Sequence, residues 1–296
     1  MSNLQENSQY HIPVMTSEVL EFLNLKKDGV YIDGTIGAGG HTNEILSNLS
    51  SKAKVIGLDR DNDALEIAKK RLIHFKKQIS LHHSSYHHIS NIMKLNNISK
   101  VDGILLDLGL SSMQLNTKNR GFSFQKNDRI DMRFDQSSGE TANELIKRLT
   151  QEQLADIIFE FGEERRSRRI AKSIKKSNML ITTNDLTDAI RKSTPPHQRN
   201  KTLARVYQAI RIAVNNEIEK LKNFLEIFLN HLNSKGRLVI ISYHSIEDRL
   251  VKNFFRQLKL DNKANILTKK PLTPSTKEIQ SNRRSRSAKI RALEKI

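Results

Sequence analysis

Between Tyr31 and His41 the chain reads Tyr-Ile-Asp-Gly-Thr-Ile-Gly-Ala-Gly-Gly-His, and no other stretch restricts the possible folds as much. Val30, Tyr31 and Ile32 have the character of a short buried strand, which Asp33 ends with a carboxylate. Gly34, Gly37, Gly39 and Gly40 then free the backbone to turn tightly and to let another group come close. Ile45, Leu46 and Leu49 carry the spacing of a following helix. Strand, glycine loop and helix in that order open an α/β ligand site, with the helix N-terminus facing the ligand. Taken alone, a plain glycine-rich turn reads the same way.

Asp59 separates the two readings. It ends the next apolar run, Val55-Ile56-Gly57-Leu58, twenty residues after Gly39. At the end of the second strand of a doubly wound sheet, an acid accepts hydrogen bonds from both hydroxyls of a ribose, with charge assistance. The competing role is a helix cap, because Asp59, Asp61 and Asn62 all precede a helix expected from Ala64 to Phe75. Asp61 can fill that role, which leaves Asp59 for a ligand. The dinucleotide fingerprint fits poorly: Asp33-Gly34-Thr35 intervenes, and the position three past Gly39 is Thr42. A nicotinamide oxidoreductase is therefore the weaker reading. Asp-Gly-Thr-x-Gly-x-Gly-Gly resembles instead the first motif of S-adenosylmethionine-dependent methyltransferases, where the loop packs on the methionine part of a cofactor that has no pyrophosphate.

At 296 residues the chain can form one large domain or two modest ones. The absence of cysteine removes disulfides and thiolate metal sites and suits a reducing compartment such as the cytoplasm. No apolar run reaches the length of a membrane span. Met1 to Gln9 is polar, contains Glu6 and has no arginine, unlike a signal or transit peptide. The formal net charge of +18 points to a polyanion, either nucleic acid or an acidic membrane surface. Joint richness in Lys, Asn and Ile can follow from genome composition, so the clustered arginines carry more weight than the total.

Read in order, a helix is expected from about Ser17 to Leu23, and a third strand at Ile79-Ser80-Leu81. Four histidines, His82, His83, His87 and His88, surround that strand's end. A zinc site there is conceivable, but with no acid or cysteine nearby they read better as loop and surface residues. Tyr86 sits where a ring can lie against an adenine. Val101 to Asp107 lacks polar alternation, as in a parallel strand covered on both faces, and ends in a third edge acid. From about Ser112 to Thr202 strand-like runs vanish, and an inserted, mostly helical subdomain is expected, with helices near Ala142–Leu149, Gln151–Phe161 and Glu163–Lys176. The last of these sets Arg165, Arg168, Arg169, Lys172 and Lys176 at spacings of three and four. That face contacts phosphates, or it is a solvated face partly neutralised by Glu160, Glu163 and Glu164. Thr194-Pro195-Pro196-His197 marks a return to the main sheet, followed by one long amphipathic helix from Leu203 to Leu232. A strand, Arg237–Ser242, leads through Tyr243-His244-Ser245 into a helix that Ser245 and Asp248 can cap reciprocally. The arginine-rich tail from Asn282 to Arg291 is a nuclear signal, a disordered arm or, from its alternation at Ala288, Ile290 and Ala292, a final strand.

Assembled, these residues resemble the RsmH (MraW) family of bacterial methyltransferases acting on small-subunit ribosomal RNA, from His11 to about Lys295. The motifs are His11-Ile12-Pro13-Val14, Asp33-Gly34-Thr35 with Gly37-Ala38-Gly39-Gly40-His41, Asp107-Leu108-Gly109-Leu110-Ser111-Ser112, Arg120-Gly121-Phe122-Ser123-Phe124, Asp131-Met132-Arg133, Gly162-Glu163-Glu164, Tyr243-His244-Ser245-Ile246-Glu247-Asp248-Arg249 and Arg284-Ser285-Arg286-Ser287-Ala288-Lys289. The resemblance implies an α/β fold: a class I methyltransferase (Rossmann-like) sheet over residues 1–111 and 203–296, interrupted by a helical substrate-recognition domain over 112–202. It implies S-adenosylmethionine as donor and the N4 amine of one cytidine in the decoding region of 16S rRNA as acceptor. The RNA could be presented within the small subunit or its precursor, and a homodimer is left open. Carried over by motif, Gly39, Gly40 and His41 contact the cofactor, Asp59 its ribose, and Tyr86, Asp107 and Gln114 the rest of its pocket. Met113 departs from the proline usual between Ser112 and Gln114. Leu203-Ala204-Arg205-Val206-Tyr207 departs from the commoner Arg-Thr/Val-Phe pattern.

Asp107 occupies the strand end where amino-methyltransferases place an acceptor for the amine proton, although the Asp/Asn-Pro-Pro-aromatic motif is missing. Asp131, Arg133, Arg165, Arg168 and Arg169 are expected to meet RNA. The rival readings are a methyltransferase of DNA or another RNA, and an RNA-binding assembly factor with a vestigial cofactor site.

Overall fold

Which face of the sheet a side chain joins follows from its parity along the strand. In the computed structural model, which describes residues 13–177 and 180–296, seven strands form one sheet: β1 (Val30–Asp33), β2 (Lys54–Asp59), β3 (Ile79–His83), β4 (Val101–Asp107), β5 (Leu232–Ser242), β6 (Ala264–Ile266) and β7 (Lys289–Lys295). Their order is β3-β2-β1-β4-β5-β7-β6. The pairings among the first five are parallel, and β7 runs antiparallel to both β5 and β6. His11 and Ile12, the first half of the Pro13 motif, lie outside the described residues.

The helices of this sheet are α1 (Thr16–Leu23), α2 (Gly40–Ser47), α3 (Asn62–Arg71) and α4 (Ile89–Leu95). A second set follows: α5 (Ser112–Asn116), α6 (Ala142–Arg148), α7 (Gln151–Gly162), α8 (Ser167–Lys175), α9 (Thr183–Lys192) and α10 (Arg199–Asn215). Then come α11 (Glu217–His231), α12 (Ser245–Leu260) and α13 (Thr276–Ser281). Ile32, Ile56, Ile104, Leu106, Leu238 and Ile240 point into a core with α4, α11 and α12, where Phe224, Phe228 and Phe255 are fully buried. Their strand neighbours Tyr31, Val55, Leu105, Val239 and Ile241 point the other way, onto α1, α2 and α3. Burial on both faces explains why Val101 to Asp107 carries no polar alternation.

The chain divides into two compact units: residues up to Gly109 together with Glu219–Ile296, and Leu110–Ile218. The second unit has its own core, drawn from α6 to α10 and from Phe122, Ile130 and Met132. The expected limits of the insertion, 112–202, are too narrow, because α10 belongs to the helical unit. Thr194–His197 leads through a 3-10 turn, Pro196–Gln198, into α10 rather than back to the sheet.

The expected single helix over Leu203–Leu232 is two helices. Asn216 is left-handed, at φ 50°, and separates α10 from α11. Asn215, just before the break, is buried; it accepts from Phe134 N–H and donates to the Met132 and Arg211 carbonyls. The apolar period runs through the break because Val214, Ile218 and Leu221 keep helical spacing on either side of it.

Two smaller expectations also change. The helix after β5 is capped one residue earlier than Ser245: His244 Nδ1 accepts from Glu247 N–H, and Glu247 Oε2 accepts from Tyr243 N–H at 3.1 Å. The helix expected from Glu163 begins at Ser167, since Glu163 is left-handed at φ 49°. The C-terminal alternation is a strand: β7 pairs with β5 from Arg237↔Glu294 to Ser242↔Lys289.

Candidate active site

The strand order reverses between β1 and β4, and their carboxyl ends open the crevice where doubly wound sheets hold ligands. Asp33 ends β1, Asp59 ends β2 and Asp107 ends β4, so three carboxyl groups lie along one edge. The glycine loop is tied to the strands beside it. Gly34 N–H donates to Leu105 O and Ile36 N–H to Leu58 O, both at 2.9 Å. Gly37 N–H donates to Asp59 Oδ2 at 2.7 Å, and the Thr35 hydroxyl accepts from Asp107 N–H at 2.6 Å. The Thr42 hydroxyl, on α2, donates to Asp33 Oδ2 at 2.6 Å. Thr35 and Thr42 thus fix the loop and its acids relative to one another, a role that side chains beside glycines do not announce in sequence.

Glycine is required at Gly39 for two reasons. Its φ is +77°, and a Cβ there would stand 2.9 Å from Leu72 Cδ1. It caps α2, and Gly40 is the first residue of that helix. His41 is buried, and its Nε2 lies 2.8 Å from the Val14 carbonyl. A carbonyl only accepts, so Nε2 carries the proton, and Nδ1 is left facing Asp107 Oδ2 at 3.8 Å. Tyr86 is buried beside Gly34 and meets Phe224 edge-on at 5.7 Å.

Asp59 is not free of protein contacts. Oδ1 accepts from Asp61 N–H at 2.9 Å and Oδ2 from Gly37 N–H, while Asp61 caps α3 as expected. Each oxygen keeps a second lone pair, which is what two ribose hydroxyls need. Burial pushes the Asp59 carboxyl up to about 6, against the pull of those two N–H groups, and the charges of Asp61 and Asp33 add to the rise. Burial likewise raises Asp33 and Asp107 above the ordinary carboxylate range. At Asp107 the opposing influences are His41, the Tyr243 hydroxyl and Gly109 N–H. Asp107 Oδ1 is buried and has no hydrogen-bond partner among the described residues. Tyr243, which looks in sequence like part of a linker, lies so close over Gly109 that a Cβ there would be 2.5 Å from its Cε2.

The remaining expected site residues lie in the helical unit. Gln114 is buried as the third residue of α5, in a capping box with Ser111, so the turn is held without the usual proline. Asp131 and Arg133 pair with each other: Asp131 Oδ1 accepts from Arg133 Nε at 2.9 Å, and Oδ2 from Arg133 Nη2 at 2.8 Å. Arg165, Arg168, Arg169, Lys172 and Lys176 are all exposed. Glu164, one of the acids expected to neutralise them, is instead buried against Thr202 and Arg205. The four histidines near β3 have separate partners: Asn96 for His82, the Arg60 carbonyl for His83, Ser85 for His87, and the His87 ring, 3.9 Å away, for His88.

A strand order of 3-2-1-4-5-7-6 with only the seventh strand reversed, a glycine loop after β1 and acids ending β1, β2 and β4 define a class I S-adenosylmethionine-dependent methyltransferase. The model of the MraW methylase family matches residues 8–296, and the chain belongs to that family. It is 44% identical over 302 residues to a Kosmotoga olearia protein named ribosomal RNA small subunit methyltransferase H, covering 99% of each. A Thermotoga neapolitana protein of the same name is 45% identical over 302 residues, covering 99% of this chain and 98% of that protein. A Clostridium thermocellum protein of known crystal structure superposes with a TM-score of 0.50 at 12% identity, covering 97% of this chain and 100% of that one, a likeness of fold alone.

S-adenosylmethionine is the cofactor, and the residues present fit it. It carries a cationic sulfonium and a ribose but no phosphate, and the sheet edge offers carboxyl groups, one with an unpartnered buried oxygen.

Proposed function

We propose that this protein transfers the methyl group of S-adenosylmethionine to the N4 amine of a cytidine in the decoding region of 16S rRNA. The family and the relatives named for small-subunit rRNA methylation support the RNA as substrate. Asp107 carries the choice of an amine: its Oδ1 is a buried acceptor without a donor, at the strand end next to the glycine loop. When bound, S-adenosylmethionine supplies a methyl group already activated by its positive sulfonium.

A cytosine amine is a weak nucleophile because its lone pair delocalises into the ring. Asp107 Oδ1 accepts one N–H of the amine and turns the nitrogen lone pair toward the methyl carbon. When the bound sulfonium supplies its methyl group to the amine, Asp107 would take the proton the amine gives up, and N4-methylcytidine and S-adenosylhomocysteine would be the products. A carboxyl raised by burial is a better base near neutral pH than an ordinary one. Thr35, holding Asp107 N–H, fixes where that oxygen stands. In this reading Gly39, Gly40 and His41 hold the methionine part of the cofactor, Asp59 its ribose and Tyr86 its base. Asp131 and Arg133 order the loop they share, and Arg165, Arg168 and Arg169 contact phosphates.

Methyl transfer from labelled S-adenosylmethionine to small subunits and free 16S rRNA from a strain lacking the protein tests the proposal, with the product nucleoside identified by mass spectrometry. Label in N4-methylcytidine is the expected result; label in another nucleoside, or none despite cofactor binding, overturns it. Asp107→Asn is expected to keep RNA binding and to lose about 10²–10⁴ in rate. Charge reversal at Arg165, Arg168 and Arg169 is expected to weaken rRNA methylation, and an unchanged rate at physiological salt removes α8 from the interface.

A further inference from the structure

The arginine-rich C-terminal motif has no part in the site described above, yet it is an ordered turn. Ser275 caps α13, Glu278 Oε1 accepts from Met15 N–H at 2.7 Å, and Asn282 N–H bonds Glu278 O. Arg283–Ser287 then makes a 3-10 turn around Ser285, which is fully buried and donates its hydroxyl to Asn282 O at 2.8 Å. Ala288 N–H returns to Ser285 O at 2.7 Å, and β7 begins one residue later.

The cations of this region divide into two groups. Those at the start of β7 are neutralised: Arg291 pairs with Asp248 at 2.6 Å, and Lys289 lies 4.0 Å from the same carboxylate. Among the described residues, Arg283, Arg284 and Arg286 meet no carboxylate. Arg283 and Arg286 are exposed, whereas Arg284 is half-buried, with Nη1 buried and unpartnered. Burial pulls the Arg284 guanidinium below its ordinary value, with no opposing anion. A buried donor left unmade costs about 1–3 kcal/mol, more when charged, so the fold retains a cation that weakens it. A bound anion would repay that cost.

We propose that the Arg283–Ser287 turn of the methyltransferase unit is a second docking surface for the RNA, gripping its phosphates through Arg283, Arg284 and Arg286. The partner follows from the proposed rRNA substrate, on which this inference rests. Guanidiniums suit phosphate oxygens because their planar forks donate two parallel hydrogen bonds. Because the turn is already ordered, binding need not pay for fixing its backbone, as a disordered basic arm would.

The test uses the full chain with free 16S rRNA as probe and salt titrations of affinity. Arg283→Gln/Arg286→Gln is expected to bind several-fold more weakly, with a log–log salt slope shallower by about 1.4, at about 0.7 per single-strand phosphate contact. S-adenosylmethionine binding, followed by calorimetry, is expected to be unchanged. Arg284→Gln separates a ligand role from a structural one: weaker RNA binding with an equal or higher Tm supports the proposal, and a lowered Tm with unchanged RNA affinity overturns it. Unchanged affinity and slope in the double variant also overturn it while leaving the proposed activity standing. If the unaltered protein binds small subunits but not free 16S rRNA, the same comparisons are made with subunits; binding to neither removes the proposed substrate and the docking surface together.

Discussion

At the residue scale the site is governed by what burial does to carboxyl groups. Asp59 has a value pushed up to about 6, so in the ligand-free protein its neutral form is the major one only below that pH. A raised folded value contributes stability that is present below the unfolded value near 3.8 and is lost as pH rises through about 6. Holding a ribose by charge-assisted bonds needs the ionised form, so the two effects oppose each other. Affinity for S-adenosylmethionine is therefore expected to strengthen as pH rises through about 6, and Asp59→Asn to bind weakly with that pH dependence removed; calorimetry across pH 5 to 8 measures both. Gly109 shows a different constraint. Its close approach to Tyr243 predicts that Gly109→Ala will cost about 1–3 kcal/mol by overpacking, read as a lowered midpoint in a denaturant melt, together with reduced activity because the strain falls beside Asp107.

At the element scale, residues that look secondary set the boundaries. Asn215 ends α10 by bonding the loop at Met132 and Phe134, and Asn216 supplies the left-handed residue after it. Asn215→Ala leaves buried backbone groups unpaired and is expected to destabilise the helical unit by about 2–3 kcal/mol, with protection of the 132–134 amides lost in hydrogen exchange. The five parallel strands, the helix after the glycine loop and the Asp61 cap were legible, because periodicity and capping are local. The break after α10 was not, because the helical spacing of apolar residues continues through it. The start of α8 was missed for the opposite reason: Glu163 is ordinary in composition and unusual only in its backbone angle.

At the scale of the whole molecule, a charge of +18 divides between part-buried ion pairs and exposed clusters that meet no carboxylate among the described residues. Arg211–Glu217, Arg237–Glu294 and Arg291–Asp248 are part-buried pairs that hold elements in place. The exposed cations of α8 and of the Arg283–Ser287 turn are available to a polyanion. Affinity for 16S rRNA is expected to fall linearly in log–log terms with salt, and filter binding from 50 to 200 mM salt measures the slope. Among the described residues no helix is long and apolar enough to cross a membrane.

What the sequence by itself determined is what depends on near neighbours: the strands, the glycine loop, the acids ending β1, β2 and β4, and a change from strand to helix near residue 112. Those signals survive without the fold because glycine conformation, capping and side-chain parity act over a few residues. Only the tertiary structure decided which acids share an edge, that Thr35 locks Asp107 and Tyr243 covers Gly109, and that Asp131 and Arg133 hold each other. It also decided that Glu164 turns inward and that an arginine-rich tail is an ordered turn feeding the last strand. These outcomes depend on groups brought together from distant positions, where burial changes what a carboxyl or guanidinium can do.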